Sequence, residues 1–353
     1  MRKKVLLFGY SRANFGDDFF IYVLAKRYEN VEFYIHIKEE KYKKPFINLE
    51  NVKFVKTDRN VDEVNLSDFD AFIYIGGSIF IESEYSINEM SEFTKFTKKC
   101  KQENKPFFYM TCNFGPYYHE EYVENAKKLF QNCEGVCFRD LKSYDLFKSQ
   151  ENISYAPDVA FAYNVDKYIK NKKMLQVGIS VIDLSIRENL KGKEEIYNDY
   201  IKRIAIMFAK RGYTVNLISF CEFEQDLEAI KKIKDMIPKK YERKIKVVNY
   251  DGNIENFLNE YSKNTYMVCT RFHSMILSTM LRQKIYTLSY SKKTNNVKDE
   301  LKVPGRLDDI SDLNYDIILK KTDFEKIDKE KLNMIAEESN KQFSQFEKWL
   351  NSY

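Results

Sequence analysis

The stretch Tyr266-Met-Val-Cys-Thr-Arg271-Phe-His273-Ser-Met-Ile-Leu277 predicts a strand that turns directly into a helix. Its opening residues are apolar, as in a buried strand, and the residues after His273 have the apolar spacing of a helix. Open α/β sheets repeat this unit and bind ligands where their strands end. Arg271 and His273 lie at such a point, before a helix N-terminus that attracts anions.

These two side chains suit an anionic ligand and proton transfer. Arg271 offers a planar fork of donors to a phosphate or a carboxylate. His273 can gain or lose a proton near neutral pH. A structural interpretation stays open at this point, in which the histidine packs at the helix start and the arginine forms a surface ion pair.

Length and composition narrow the class of protein. The 353 residues predict about two domains. An apolar share of 44% and a charged share of 31% are typical of a globular protein. The net charge of +5 is spread along the chain, unlike the dense basic surface of a nucleic-acid-binding protein. It is compatible with small anionic substrates or with an acidic membrane surface.

The cysteines and the N-terminus predict a cytoplasmic protein. Six cysteines occur without C-x-x-C spacing, which favours reduced and mostly buried thiols. The apolar run near the N-terminus, residues 5–8, is too short for a signal peptide and is better explained as a first strand. No segment approaches the roughly 20 apolar residues of a membrane span.

Polar or glycine residues follow the predicted strands of the first half. The first such loop lacks the Gly-x-Gly-x-x-Gly pattern of dinucleotide-binding proteins. Structural interpretations exist for each of these residues: helix capping for the aspartates, a plain turn for the glycines and a surface ion pair for the arginine. After the strands at 5–8, 70–75, 106–111 and 135–138 come, in order, Asn14, Gly16, Asp17 and Asp18; Gly76 and Gly77; Asn113; and Arg139.

A polar stretch at residues 164–173 predicts a linker, after which the pattern of strands and helices restarts. The strand predicted at 285–290 brings Lys292 and Lys293 to the same edge as Arg271, although adjacent lysines are usually just solvated. The tail has a long amphipathic helical pattern from Asp323 onward. We therefore predict α/β domains at residues 1–167 and 168–322, followed by a C-terminal helix at 323–353.

The order and spacing of these motifs resemble one family, the polysaccharide pyruvyltransferases of bacterial capsule, exopolysaccharide and cell-wall synthesis. Two positions depart from the family pattern: Ser78 replaces a third glycine, and Cys269 replaces a glycine before Arg-x-His. The resemblance extends from residue 5 to about residue 310. It rests on Asn14-x-Gly16-Asp17-Asp18, Asp70 through Gly76-Gly77, Gly115-Pro116, Arg139-Asp140-x-x-Ser143-x-x-Leu146, Asp158 with Phe161, Arg271-x-His273, and Tyr290-x-x-Lys293.

The resemblance implies a fold and an activity. The expected fold has two doubly wound Rossmann-like α/β domains facing a cleft, like the glycosyltransferase B fold, with a C-terminal helix packing back. The expected reaction transfers pyruvate from phosphoenolpyruvate to two hydroxyls of a sugar, forming a ketal and releasing phosphate. The acceptor is expected to be a sugar or a lipid-linked oligosaccharide, met at the inner face of the membrane. No other cofactor, no metal and no nucleic acid is expected.

The chemistry of that reaction, placed on the motifs, assigns roles to residues. His273 is the expected general acid/base, a role typically worth about 10²–10⁴-fold in rate. Donor-binding residues are expected to carry positive charge or hydrogen-bond donors, and acceptor-binding residues to lie in the first domain. The expected donor set is Arg271, Arg139, Lys293, Lys292 and Ser274, and the expected acceptor set is Asn14, Gly16, Asp17, Asp18, Gly76, Gly77 and Asn113.

Two other functions stay open on the sequence. A nucleotide-sugar-dependent glycosyltransferase could use the same architecture, with Asp251, Glu255 or Glu260 binding the ribose. A non-catalytic glycan-binding protein of a surface-polysaccharide cluster would carry the charged strand ends by chance. The role of His119, in the loop before a predicted helix, is not determined by the pattern.

Overall fold

Apolar strands form two separate parallel sheets, one in each half of the chain. The computed structural model describes residues 2–10, 12–55, 61–169, 174–187, 190–316 and 318–352. Its backbone contacts divide the chain into two compact units. Unit 1 comprises Met1–Ser11, Asp17–Tyr163 and Ile335–Tyr353, and unit 2 comprises Arg12–Gly16 and Asn164–Met334.

The sheet of unit 1 has the strand order β3-β2-β1-β4-β5-β6-β7, with every neighbouring pair parallel. Its central strands β4 and β5 are buried along their whole length, because helices cover both faces of a parallel sheet. The strands are β1 Lys3–Phe8, β2 Val31–His36, β3 Val52–Val55, β4 Ala71–Ile75, β5 Phe107–Cys112, β6 Gly135–Phe138 and β7 Ile153–Tyr155, and the helices are α1 Phe15–Arg27, α2 Glu84–Gln102, α3 Glu120–Phe130 and α4 Leu141–Phe147.

The sheet of unit 2 has the order β10-β9-β8-β11-β12-β13 and is also parallel throughout. Its core contains aliphatic and aromatic side chains from the strands and from helices α5 and α6. The strands are β8 Gln176–Ser180, β9 Thr214–Ser219, β10 Ile245–Asn249, β11 Tyr266–Cys269, β12 Lys284–Ser289 and β13 Leu307–Asp309, and the helices are α5 Glu194–Lys210, α6 Asp226–Asp235, α7 Ile254–Tyr261, α8 Phe272–Met280 and α9 Lys292–Glu300.

Both sheets follow the doubly wound order of Rossmann-like folds, so the fold-class prediction is confirmed. Strand order reverses beside the first strand of each sheet, where β1 pairs with β4 and β8 pairs with β11. Ligands bind at such reversal points, beyond the carboxyl ends of the strands. In unit 2 this point is flanked by the segments after β8 and β11, and the latter contains Arg271.

The chain returns to unit 1 from Ile335 onward, as the prediction of a helix that packs back requires, whereas the preceding residues up to Met334 belong to unit 2. Phe346 meets Phe108 edge-on at 5.6 Å between ring centroids. The Gln342 side chain accepts a hydrogen bond from the Thr111 amide (2.9 Å) and donates one to the Ala156 carbonyl (2.7 Å). The side-chain amide of Gln342 therefore satisfies backbone groups at the ends of both β5 and β7.

Several predicted boundaries need correction. The tail is not one helix from Asp323: it has α10 at Lys329–Ser339, a 3₁₀ turn at Asn340–Phe343, and α11 at Ser344–Leu350. Helix α9 and strand β13 were not predicted, because α9 buries only Thr294, Val297 and Lys298 and β13 is a short, polar edge strand. The units divide at 163/164, and Arg12–Gly16 groups with unit 2 despite its place in the sequence.

The cysteine prediction is confirmed in one respect: all six are buried free thiols. Burial raises the pKa of Cys100 to about 12, so that thiol is held in its neutral form at physiological pH. None of the helices in the described part of the chain combines the length and apolar character needed to cross a bilayer.

Candidate functional site

Arg271 lies in the connection from β11 to α8, and α8 begins at the next residue. The backbone amides of Thr270 and Arg271 both donate to Ser180 Oγ, at 2.8 and 3.1 Å. Ser180 is the last residue of β8, so its hydroxyl ties together the two strands at the reversal point. The arginine is 7% exposed, which places its guanidinium in a nearly closed environment.

Two carboxylates hold the guanidinium of Arg271. One terminal nitrogen lies 2.5 Å from Glu224 Oε2, and the other contacts Asp226 Oδ1. The second oxygen of Asp226 accepts the backbone amides of Phe220 and Cys221, each at 3.0 Å. Burial opposes charge on Arg271, yet Asp226 and Glu224 raise its pKa, so the arginine stays charged. Burial raises the pKa of Asp226, against the pull of the arginine.

Glu224 connects three parts of unit 2. Its Oε2 also receives Arg187, at 2.8 Å, and its Oε1 accepts the amide of Asn14 at 3.4 Å. Burial would raise the pKa of Glu224, but Arg271 and Arg187 lower it below its ordinary value. The Arg187 guanidinium lies 4.5 Å from the ring centroid of Tyr290. We call this set the Glu224 cluster: Asn14, Arg187, Glu224, Asp226 and Arg271.

The His273 imidazole lies against the backbone of Gly16. A Cβ added at Gly16 would overlap the histidine ring, so a glycine is required for this approach. Asn14 Oδ1 accepts the Gly16 amide at 3.0 Å, and Phe15 donates its amide to the Phe220 carbonyl at 3.0 Å. These bonds hold the segment after β1 on unit 2, so Asn14 and Gly16, predicted for the acceptor, lie with His273 and Arg271.

The other predicted donor residues occupy two different environments. Ser274 is fully buried, and its hydroxyl and carbonyl both lie 2.9 Å from the Tyr261 hydroxyl. Lys292 and Lys293 form the first turn of α9, where a helix N-terminus adds to their attraction for an anion. Lys293 Nζ lies 5.5 Å from the ring centroid of Phe272, next to His273 in sequence.

Arg139 lies in unit 1 at the end of β6 and has a closed environment. It donates to Asp158 Oδ2 at 2.7 Å and to Asn113 Oδ1 at 2.9 Å. The side chains of Arg139 and Asp158 are 2% and 1% exposed. A Cβ added at Gly77 would overlap the guanidinium. We call this set the Arg139 cluster: Gly77, Asn113, Arg139 and Asp158.

The remaining predicted acceptor residues lie in the first turn of α1 and in the loops after β4 and β5. Asp17 and Asp18 belong to the first turn of α1, and Asp18 is 1% exposed. Gly76 follows β4, where an added Cβ would press on Ile79 Cγ2 at 2.8 Å. The Asn113 amide donates to the Gly77 carbonyl at 2.9 Å. The loops after β4 and β5 are thus hydrogen-bonded to each other, a contact that the sequence pattern did not predict.

Sequence reasoning did not select Glu224, Asp226 or Arg187. A signal was present, since Glu224 lies between β9 and α6, Asp226 is the first residue of α6, and Arg187 follows β8. Both loops follow strand ends, as the predicted site residues do. The loop after β9 carries only acidic charges and the loop after β8 carries charges of both signs, and neither contains a motif that singles out these residues. His119, whose role was undetermined, lies 2.6 Å from Glu82 Oε1 through its Nδ1.

Comparison with known proteins identifies the family. The family model described as Polysaccharide pyruvyl transferase matches residues 14–292. That range holds the whole Glu224 cluster, the Arg139 cluster and His273. It begins at Asn14 and ends at Lys292, both predicted site residues. The chain therefore belongs to this family, and the family predicted from the motifs is confirmed.

Solved structures show the same fold at low sequence identity. UDP-GlcNAc 2-epimerase from Methanocaldococcus jannaschii has a TM-score of 0.56 at 11% identity, with 96% of this chain and 92% of that chain covered. Anabaena Alr3699/HepE, in complex with UDP and glucose, has a TM-score of 0.56 at 12% identity, with 100% of both covered. S. aureus MnaA, solved with UDP, has a TM-score of 0.55 at 12% identity, covering 98% and 90%. These similarities concern the fold, which is that of glycosyltransferase B-like proteins.

Proposed function

Because the chain belongs to the polysaccharide pyruvyl transferase family, we propose that it transfers pyruvate from phosphoenolpyruvate to two hydroxyls of one sugar. The protein is a transferase that acts on glycans, as the family is. The proposed acceptor is a sugar of a surface-polysaccharide precursor, either free or lipid-linked. A lipid-linked acceptor would bring the protein to the inner face of a membrane by peripheral contact. Phosphoenolpyruvate is a co-substrate, and no other cofactor is proposed.

The reaction balances without an added reagent. The methylene carbon of the donor gains a proton, and a sugar oxygen forms a bond to the neighbouring carbon. The bond from that carbon to the phosphate oxygen breaks, and a second sugar oxygen takes its place. Two hydroxyl protons are released in total; one replaces the proton given to carbon and the other leaves with the phosphate.

The observation that carries this proposal is the place of His273. Its imidazole lies in the first turn of α8, two residues from Arg271, and is held against Gly16 by the packed segment after β1. A group that can give a proton, next to a fixed cation, suits phosphoenolpyruvate, which must be protonated and whose negative charges must be stabilised. We propose His273 as the general acid/base, a role worth about 10²–10⁴-fold in rate.

Charge balance guides the assignment of the donor anions. Within the Glu224 cluster, two arginines face two carboxylates, so the cluster carries no net charge. Arg271 would therefore orient the donor through a hydrogen bond and would add little net positive charge to the site. Its Nε–H, which meets no hydrogen-bond acceptor among the described residues, could form that bond. We propose that Lys292 and Lys293, at the N-terminus of α9, supply the positive charge that the donor phosphate and carboxylate require.

The acceptor assignment rests on the family motifs and on sequence position, because these residues follow β1, β4 and β5, and β1 and β4 are the strands at which the order of the first sheet reverses. We propose Asn14, Gly16, Asp17 and Asp18 for contacts with the sugar, together with Gly76, Gly77 and Asn113. Arg139 remains a proposed donor ligand by its motif, but binding an anion would require its guanidinium to release Asp158 or Asn113. The buried position of that ion pair favours a supporting role.

The test is acceptor-dependent release of phosphate from phosphoenolpyruvate, measured with a panel of free and lipid-linked sugars. We expect release by the wild type, and a fall of about 10²–10⁴-fold in His273→Ala. His119→Ala is the matched control, because His119 also lies at a helix start but pairs with Glu82 in unit 1.

Three other outcomes have distinct meanings. Release that survives in His273→Ala would keep the family reaction and move the acid/base role to another residue. An equal loss in His119→Ala would contradict the assignment of chemistry to α8. If no acceptor supports release, and a nucleotide sugar but not phosphoenolpyruvate raises the melting temperature, the glycosyltransferase function would replace the proposed one.

A further inference from the structure

We infer that Arg187 is a further donor-binding residue, which exchanges its bond to Glu224 for a bond to the phosphate or carboxylate of the donor. The inference rests on the proposed function and adds a residue that neither the Arg-x-His motif nor the two lysines supply. It concerns only unit 2, and it follows from the position, the pairing and the burial of Arg187.

The position of Arg187 is that of a ligand-binding residue in a doubly wound sheet. Arg187 lies in the segment after β8, and Arg271 in the segment after β11. β8 and β11 are the neighbouring strands at which the order of the sheet reverses. Segments that leave the carboxyl ends of such a strand pair form the ligand-binding crevice of these folds.

The two arginines of the Glu224 cluster are not equally fixed. The ion pair of Arg271 with Asp226 is closed, with side chains 8% and 0% exposed. The pair of Arg187 with Glu224 is more open, with side chains 20% and 25% exposed. Separating charges that water can reach is far easier than separating charges buried in protein. Arg187 is therefore the arginine that can leave its carboxylate.

Departure of Arg187 leaves no carboxylate without a partner. Glu224 keeps Arg271 at 2.5 Å and the Asn14 amide at 3.4 Å. Departure of Arg271, in contrast, would leave Asp226 buried without its cation. One oxygen of Glu224 now serves both guanidinium groups, so an incoming anion relieves a shared bond and does not break a saturated pair.

Arg187 also has the means to hold an anion once it is released. Its guanidinium rests on the Tyr290 ring, 4.5 Å from the centroid, which keeps the planar group oriented without using its hydrogen-bond donors. Its buried Nε–H has no hydrogen-bond acceptor among the described residues. Nε and one terminal nitrogen form the two-donor edge that arginine presents to phosphate and carboxylate.

The test measures steady-state phosphate release with varied phosphoenolpyruvate, and calorimetric binding of phosphoenolpyruvate and of inorganic phosphate without acceptor. We expect Arg187→Ala to raise KM and Kd for phosphoenolpyruvate about 10–100-fold, since a charge-assisted hydrogen bond is lost. We expect kcat to change by less than about 3-fold, because Arg187 does not act on the reacting carbon. Arg187→Lys keeps the charge without the fork, and its Kd should lie between the two.

Arg203→Ala is the matched control. Arg203 also pairs with a carboxylate, Asp199 at 2.9 Å, and lies 5.3 Å from the ring of Tyr200, but it belongs to α5 and not to a strand end. We expect wild-type KM and Kd in this variant. If the KM and Kd of Arg187→Ala are unchanged, as in Arg203→Ala, the inference is overturned. It is also overturned if Arg187→Ala lowers only kcat.

The design separates this inference from the proposed function. If the wild type releases no phosphate with any acceptor, the proposed function fails, while the binding of phosphoenolpyruvate and inorganic phosphate still tests Arg187. If the wild type binds neither anion, the inference fails as well. Should Arg187→Ala not fold, the Arg187→Lys variant decides: an unchanged Kd for phosphoenolpyruvate would overturn the inference.

Discussion

Arg139 and Arg271 occupy the same kind of position in two different units, each after a strand end and just before a helix. Arg139 meets one carboxylate and one amide, and its partners Asp158 and Asn113 are buried. Arg271 meets two carboxylates, one of which it shares with Arg187. The same sequence pattern has thus produced a buried one-to-one ion pair in unit 1 and, in unit 2, an ion-pair network with a partly exposed carboxylate.

Partners and burial thus distinguish an arginine that supports the fold, Arg139, from one that can exchange its carboxylate for a ligand, Arg187. A buried one-to-one pair is stable only while both members remain, because a lone buried charge is strongly unfavourable. A shared and partly exposed carboxylate can lose one arginine and keep another. Substitutions in the Arg139 cluster are therefore expected to change mainly stability, whereas substitution of Arg187 in the Glu224 cluster is expected to change mainly donor binding.

The largest expected effect is the loss of stability in Arg139→Ala. The substitution leaves Asp158 buried without its cation, which should lower the free energy of unfolding by about 3–5 kcal/mol. Urea denaturation measures it, with Arg203→Ala as a control for a more exposed pair that should cost less than about 1 kcal/mol. Wild-type stability together with a raised KM for phosphoenolpyruvate would instead make Arg139 a donor ligand.

Gly16→Ala should act on catalysis. The added methyl group overlaps the His273 ring, so the imidazole must move, and such a displacement can lower kcat about 10²-fold. Gly212→Ala is the control with the opposite signature: Gly212 has φ of +85° and no heavy atom within 4 Å of an added Cβ. That variant should lose about 1 kcal/mol of stability and keep its kcat. Full activity in Gly16→Ala would contradict the proposed role of His273.

A smaller effect is expected in Glu224→Gln, and it should depend on pH. Burial opposes ionisation of Glu224, but Arg271 and Arg187 lower its pKa in the folded state below the ordinary value. The carboxylate therefore stabilises the fold above the unfolded pKa of about 4.3, and this contribution disappears as pH falls through the folded pKa. At neutral pH the free energy of unfolding of the wild type should exceed that of the variant by about 1.5 kcal/mol.

Urea denaturation of both proteins from pH 7 down to about pH 3 measures this gap. Glu260→Gln removes a surface pair with Lys263 and serves as the control, with a gap of less than about 0.5 kcal/mol at every pH. A gap between the wild type and Glu224→Gln that stays constant or widens in acid would contradict the ionised, paired state of Glu224.

The smallest effect is expected in Lys293→Ala and Lys292→Ala. Each lysine adds one charge in the first turn of α9, where Lys292 is exposed and Lys293 is half-buried. The loss of either should raise KM for phosphoenolpyruvate by only about 3–5-fold. Salt screens such charges, and the difference from wild type should shrink when KM is measured at high ionic strength. A KM effect as large as that of Arg187→Ala would place the donor phosphate on the lysines.

Much of the fold was predictable because burial in a parallel sheet leaves continuous apolar runs. The runs that became β1, β4, β5 and β11 are buried over most or all of their length, and polar residues mark their ends. The helix α9 and the strand β13 could not be predicted in this way. Their sequences are polar, and α9 is held partly by Lys298, whose amine donates to the carbonyls of Val303 and Pro304.

Part of the candidate site was equally accessible, and part was not. Arg271, His273, Asn14 and Gly16 were selected because their residue types at a strand end imply a chemistry. Nothing in the order of the chain joins Gly16 to His273 or Asn14 to Glu224, since these contacts link distant segments. Sequence reasoning therefore placed Asn14 and Gly16 apart from the residues they contact.

The motifs of the chain were enough to identify a family that it resembles, and its apolar runs were enough to predict the doubly wound fold and the positions at which charged side chains follow the strands. These properties follow from local pattern, because a run of apolar residues and the loop after it carry their own signal. The partner of each charged side chain, in contrast, became known from the three-dimensional fold. It enclosed Arg139 with Asp158 and Asn113 and gave Arg271 and Arg187 a shared carboxylate. This is so because the role of an arginine depends on its burial and on the charges around it, and both arise from segments that are far apart in the chain.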